Sequence, residues 1–127
     1  MDVVTARTMD LPLLDGPLVA GWLVSANERG HWAKRHERTR YWRHLTAVRA
    51  RGAEPFAGRA HVTVTISWPD KRRRDVANYH PTVKACVDGM VDAGIFVDDS
   101  DRYIEGPDLR RGYGRWGVDI TATEIAP

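Results

Sequence analysis

The 127-residue sequence predicts an α+β fold, a single domain with a small mixed β-sheet and two main helices in the order β-α-β-α-β-β. Three observations point to it. Residues 60–68 and 116–123 alternate apolar and polar side chains with the period of two that a half-buried strand requires. Residues 33–51 and 82–92 repeat their apolar side chains at helical spacing. The length suits one hydrophobic core, which typically serves roughly 100–150 residues.

Residues 1–16 show no period and close on the turn cluster Asp15, Gly16, Pro17, so a loose N-terminal arm is expected there, ahead of a domain over 17–125. If residues 18–24 are extended, Leu18, Ala20, Trp22 and Val24 share a face, and this becomes the first strand. The polar loop after it contains Ser25, Asn27 and Arg29, side chains suited to phosphate and equally to turn formation. In the first helix Tyr41, Leu45 and Val48 fall at i, i+4, i+7 beside Trp42, and Gly52 stands where a C-terminal glycine belongs. Lys34, Arg35, Arg38, Arg40, Arg43, Arg49 and Arg51 surround that stripe, a cationic face able to meet a DNA backbone or simply to face solvent.

Ala60, Val62, Val64, Ile66 and Trp68 oppose His61, Thr63, Thr65 and Ser67 in the clearest strand, which Pro69 ends. Val83, Cys86, Val87, Met90 and Val91 form the stripe of the second helix, with Asn78 or His80 as candidate caps and Pro81 in its first turn. Ala93 and Gly94 close it. A further strand near Tyr103 and Ile104 is expected to be interrupted by Gly106 and Pro107, and the alternation from Trp116 gives the last strand.

Net charge is only +2, yet the charges are segregated: residues 28–51 sum to +6 and residues 75–108 to −6. A basic segment suits phosphates and a concentrated acidic one suits cations. The single cysteine, Cys86, cannot pair within the chain, and no apolar stretch reaches signal or membrane-span length. A cytoplasmic protein with no membrane partner is the expectation. Nothing is spaced for zinc, since one Cys and five scattered His lack the paired spacings of such a site.

The chemistry concentrates between residues 69 and 100. Pro69 and Asp70 lead into Lys71, Arg72, Arg73 and Arg74, then Asp75; Asn78 follows three residues on. Lys84 and Asp88 stand one helical turn apart, and Ala-Gly-x-x-x-Asp-Asp closes at Asp98 and Asp99. This combination resembles the RusA family of Holliday junction resolvases, with the flanking elements extending the likeness over residues 17–125. The resemblance implies a homodimeric, Mg²⁺-dependent endonuclease, Mn²⁺ being a possible substitute, that hydrolyses phosphodiesters in four-way DNA junctions during recombination and repair. Asp75, Lys84 and Asp99 match its catalytic residues; Asp75, Asp98 and Asp99 would hold metal, with Asn78 and Asp88 in support. Asn27, Arg29, Lys71, Arg72, Arg73 and Arg74 are the expected DNA contacts. Two departures stand out: Ala77 replaces the family's usual second Asp, and the gap from Asn78 to Lys84 is three residues longer than the common form. The alternative implied by Ala77 is a binder of branched DNA with a degenerate metal site that no longer cleaves.

Overall fold

The computed structural model describes residues 7–125 and contains β1 (Thr8–Asp15), α1 (Leu18–Trp22), α2 (Trp32–Ala50), β2 (Ala60–Trp68), α3 (His80–Asp92), β3 (Ile104–Tyr113) and β4 (Gly117–Glu124). The four strands form one mixed sheet in the order β1-β4-β2-β3. β4 runs antiparallel to both β1 and β2, whereas β3 lies parallel to β2, and α3 supplies the long connection that parallel neighbours need. The expected α+β domain with a mixed sheet and two main helices is what the chain forms. Among the described residues no helix is long and apolar enough to cross a membrane.

The first sixty residues correct the sequence reading twice. Residues 8–15, expected within a loose arm, are an edge strand: Met9, Leu11 and Leu13 turn inward while Thr8, Asp10 and Pro12 are exposed, a period-two pattern masked by the proline. An edge strand tolerates Pro12 because one side of its backbone needs no partner, and the register shifts between Pro12 and Leu14. Residues 1–6 of the expected arm lie outside the described residues. Residues 18–22, expected as a strand, instead form the short helix α1, because β1 already fills the sheet position and Pro17 favours a helix start. Trp22 then stacks on Tyr41 at 4.2 Å, and its carbonyl accepts the Trp42 indole N–H at 2.7 Å.

β2 buries Ala60, Val62, Val64, Ile66 and Trp68, as its alternation predicts. The stripe of α2 differs from the expected one: Trp42, Thr46 and Ala50 are buried, Tyr41 and Leu45 flank them, and Val48 is exposed. On α3, Val83, Cys86, Val87 and Met90 are buried, joined by Thr82, Ala85 and Gly89. Gly89 lets the two helices touch, since a Cβ there would collide with the Arg43 carbonyl oxygen and lie 2.7 Å from Thr46 Cβ. Burial pushes the Cys86 thiol up to about 12, so it packs as an inert apolar group. Thr82 Oγ1 accepts the Val24 N–H at 2.8 Å and donates to the Val24 carbonyl at 3.0 Å, pinning the chain after α1 to α3.

The expected break at Gly106 and Pro107 is instead a local irregularity inside β3, which continues to Tyr113. The register against β2 shifts between His61 and Thr63 at this point, and Gly106 adopts a φ of 99° that glycine alone accepts easily. Because β3 is an edge strand, the missing proline N–H costs no interior ladder bond.

Candidate functional site

The loop that leaves β2 is fastened from three sides. Trp68, at the strand end, is almost fully buried under the Arg74 and Arg111 guanidiniums, whose carbons lie 5.3 and 5.1 Å from its ring, and beside Tyr79. Arg111 donates to the Asp70 and Arg72 carbonyls at 2.7 and 2.8 Å, and Arg74 donates to Asp70 Oδ2 at 2.8 Å. Lys71, Arg72 and Arg73 remain exposed on the outer rim. Within the expected cationic run, then, Arg74 is structural as well as basic.

Asp75 caps the 3₁₀ turn Val76–Tyr79 by accepting the Ala77 N–H at 3.2 Å. Its carboxylate and the Ala77 side chain are both exposed. Asn78 caps nothing with its side chain; its carbonyl accepts the Ala26 N–H at 2.6 Å and thereby ties the 25–31 loop to this turn. Neither Asn78 nor His80 gives α3 a side-chain cap, and the residue in the cap position is Tyr79. Asn27 and Arg29, both exposed, are consequently carried on a loop attached to the Asp75 turn, with Ser25 Oγ accepting the Asn27 N–H at 3.2 Å.

Lys84 joins the two halves of the motif. Its Nζ donates to Asp88 Oδ1 at 2.6 Å and to Asp99 Oδ2 at 2.5 Å, so one ammonium sits between a carboxylate a turn away on α3 and another from the loop beyond it. These bonds raise the lysine's pKa above its usual value, and the bond and charge of Lys84 hold Asp99 below the usual carboxylate range. Asp98 accepts the Ser100 N–H at 2.8 Å, and its hydrogen bonds from Ser100 likewise lower its pKa. A cleft of about 280 Å³ opens beside the cluster, lined by Val83, Val87, Ile104 and Leu109 with Lys84 and Asp99 at its edge.

The structure thus assembles Lys84, Asp88 and Asp99 directly, and places Asp75 with Asn27, Arg29 and Lys71, Arg72 and Arg73 on two linked loops. Asp75 makes its side-chain bond within its own turn, and among the described residues no three His, Cys, Asp or Glu side chains stand as one group able to hold a metal ion. The donor chemistry is of the kind a hard divalent cation takes, since Asp75, Asp98 and Asp99 offer exposed carboxylate oxygens, two of them held ionised, although the Lys84 ammonium occupies one oxygen of Asp99. The residue missed from the sequence is Arg111. It lies among charged residues on an edge strand, and only the pairing of Arg111 with Ile66 shows that it reaches back over Trp68.

On the helical face, two of the seven basic residues are engaged internally. Arg38 pairs with Glu28 and donates to the Leu23 carbonyl at 3.1 Å, while Arg43 grips Asp92 through two bonds of 2.6 and 2.9 Å. Lys34, Arg40, Arg49 and Arg51 are exposed.

Compared with known proteins, the chain matches no family model and no curated sequence.

Proposed function

We propose that the chain is a metal-dependent, structure-selective DNA endonuclease of the RusA type that nicks four-way junctions. The observation that carries this reading is Lys84, whose ammonium contacts Asp88 and Asp99 together and so joins two motif segments 15 residues apart. Asp75, Asp98 and Asp99 would hold Mg²⁺ or Mn²⁺, which when bound supplies Lewis acidity to the scissile phosphate and lowers the pKa of an attacking water. Lys84 donates to a phosphate oxygen as negative charge grows there, and Asp88 keeps its ammonium charged and aimed. Lys71, Arg72, Arg73, Asn27 and Arg29 hold the DNA backbone on either side, without reading sequence. Two symmetric nicks need two copies of the site, which favours a homodimer.

Cleavage of a synthetic four-way junction and of linear duplex, measured with Mg²⁺ or Mn²⁺ and with Asp75→Asn as control, tests the reading. Junction-selective nicking that the control loses supports it. A second reading rests on Ala77, whose exposed methyl occupies the turn where the family's second Asp would stand: a junction binder that does not cut. Junction binding without nicking at any concentration of either metal selects that binder.

A further inference from the structure

Trp32 is 73% exposed, whereas Trp42 and Trp68 are buried and Trp22 and Trp116 half-buried. It is the first residue of α2, directly after the 25–31 loop, and this end of the helix is fixed in place. Arg38, on the second turn, donates to the Leu23 carbonyl at 3.1 Å and pairs with Glu28, while the Ala26 N–H donates to the Asn78 carbonyl at 2.6 Å. His31 caps the helix by accepting the Ala33 N–H at 3.3 Å, and its ring lies alongside the indole with centroids 6.1 Å apart and planes 18° from parallel. The indole is thus held out from the same linked loops that carry Asn27, Arg29 and Asp75.

An indole carries one of the largest apolar surfaces of any side chain, and tryptophan is enriched where a partner docks. The surroundings of Trp32 choose the partner. Residues 29–36 include Arg29, Lys34 and Arg35 and no acid, and one turn along the same helix face stand Arg35 and His36 rather than apolar side chains. A protein docking on Trp32 would have to cover those cations, whereas DNA brings the phosphates that neutralise them. A ring that stacks on bases, set among cations that take the backbone, is how proteins hold nucleic acid whose base faces are open.

Phosphate contacts are alike on any duplex, so cationic loops alone do not tell a four-way junction from linear DNA. Stacking does differ between them. Inside a continuous duplex both faces of every base pair are covered by its neighbours, while at a branch the stack is interrupted and the pair that ends an arm can present one face. We propose that Trp32 stacks on that open face and so supplies the structure selectivity of the site, an inference that rests on the DNA-binding reading above. The contact needs no particular base, because every base has a π-face.

The test measures binding of a four-way junction and of a linear duplex, without divalent metal so that neither is cut, by the native protein, Trp32→Ala and Trp32→Phe. Trp32→Ala is expected to bind the junction about tenfold more weakly and the duplex within about twofold of native, while Trp32→Phe, which keeps a ring, recovers most of the junction affinity. In the native protein the junction, and not the duplex, is expected to shield tryptophan emission from acrylamide, because Trp32 is the most exposed of the five. Unchanged junction affinity in Trp32→Ala, or an equal loss on both DNAs, overturns the proposal while DNA binding stands. A native dimer that becomes a monomer in Trp32→Ala overturns it too, since the ring would then lie between two copies. Failure of the native protein to bind either DNA overturns the DNA-binding reading and the proposal together. Should Trp32→Ala not fold, acrylamide shielding by the junction alone supports the proposal, and shielding that is absent or equal for both DNAs overturns it.

Discussion

On the proposed reading, Lys84 separates binding from chemistry at the scale of one side chain. With its side chain 58% exposed, its two ion pairs stabilise the fold by no more than about 1 kcal/mol, because water screens such pairs. A contact with charge that develops on phosphate acts on the chemical step instead. Lys84→Ala is therefore expected to retain junction affinity while the nicking rate falls by about 100-fold or more, in the range seen when a single charge-stabilising donor is removed. A fall in affinity in proportion to rate would make Lys84 a phosphate anchor. The same substitution has a signature independent of activity. Asp99 has a depressed folded pKa, so its contribution to stability is present above the unfolded carboxylate value of about 3.9 and disappears as pH falls through the folded value. Carboxyl NMR titration should show Asp99 moving upward in Lys84→Ala. Ala77 gives the complementary experiment. Its side chain is exposed on the Asp75 turn, and Ala77→Asp is expected to raise nicking or to lower the Mg²⁺ concentration that supports it. An active native protein unaffected by Ala77→Asp would mean that another oxygen serves in that place.

At the scale of elements, the helices rest on a crossing that one glycine permits. Alanine in a helix interior is intrinsically favoured over glycine by about 1 kcal/mol, so Gly89→Ala would stabilise an isolated α3. In the packed domain the added methyl meets α2 backbone at Arg43 and Thr46 Cβ at 2.7 Å. Backbone cannot swing aside as a long side chain does, and overpacking of this kind costs about 1–3 kcal/mol, which outweighs the propensity gain. Denaturant unfolding is expected to show a lower midpoint for Gly89→Ala, and an unchanged or higher midpoint would show that the helices can move apart. Nothing in the sequence marks Gly89 as the point where the helices touch. The stripe around it is legible because Val83, Cys86, Val87 and Met90 recur at helical spacing, and β2 is legible because nine residues alternate without a break. β1 is hidden by Pro12, and the residues of α1 alternate well enough to imitate a strand that tertiary context does not need. Of the site, Lys84 with Asp88 follows from helical geometry alone. Asp99 joins them only through the family resemblance and the return of the loop after α3, while the clamp of Arg111 on the 70–72 carbonyls depends on a parallel pairing that no local pattern announces.

Across the whole molecule the segregated charge becomes a question of which arginines are free. By sequence, residues 71–74 are four equivalent cations, but the fold divides them. Arg72 and Arg73 stand exposed on the rim, whereas Arg74 is engaged by Asp70 and by the face of Trp68. Removing one cation that neutralises a phosphate lowers the slope of log affinity against log salt by about 0.9 on duplex DNA. Replacing Arg72 and Arg73 by Gln is accordingly expected to flatten the slope for junction binding by about 2, with little change in melting temperature. Arg74→Gln should do the opposite: the salt slope changes by less than about 0.5, and the protein melts earlier because Asp70 and the Trp68 ring are deprived of the group that covers them. Fluorescence-polarisation titrations over a range of salt concentrations, paired with thermal melts of the same proteins, separate the two outcomes. Equal slopes for Arg72→Gln/Arg73→Gln and the native protein would move the DNA to the exposed Lys34, Arg40, Arg49 and Arg51 of α2. A large slope change in Arg74→Gln would mean that its guanidinium leaves the Trp68 ring when DNA arrives and pairs with a phosphate instead.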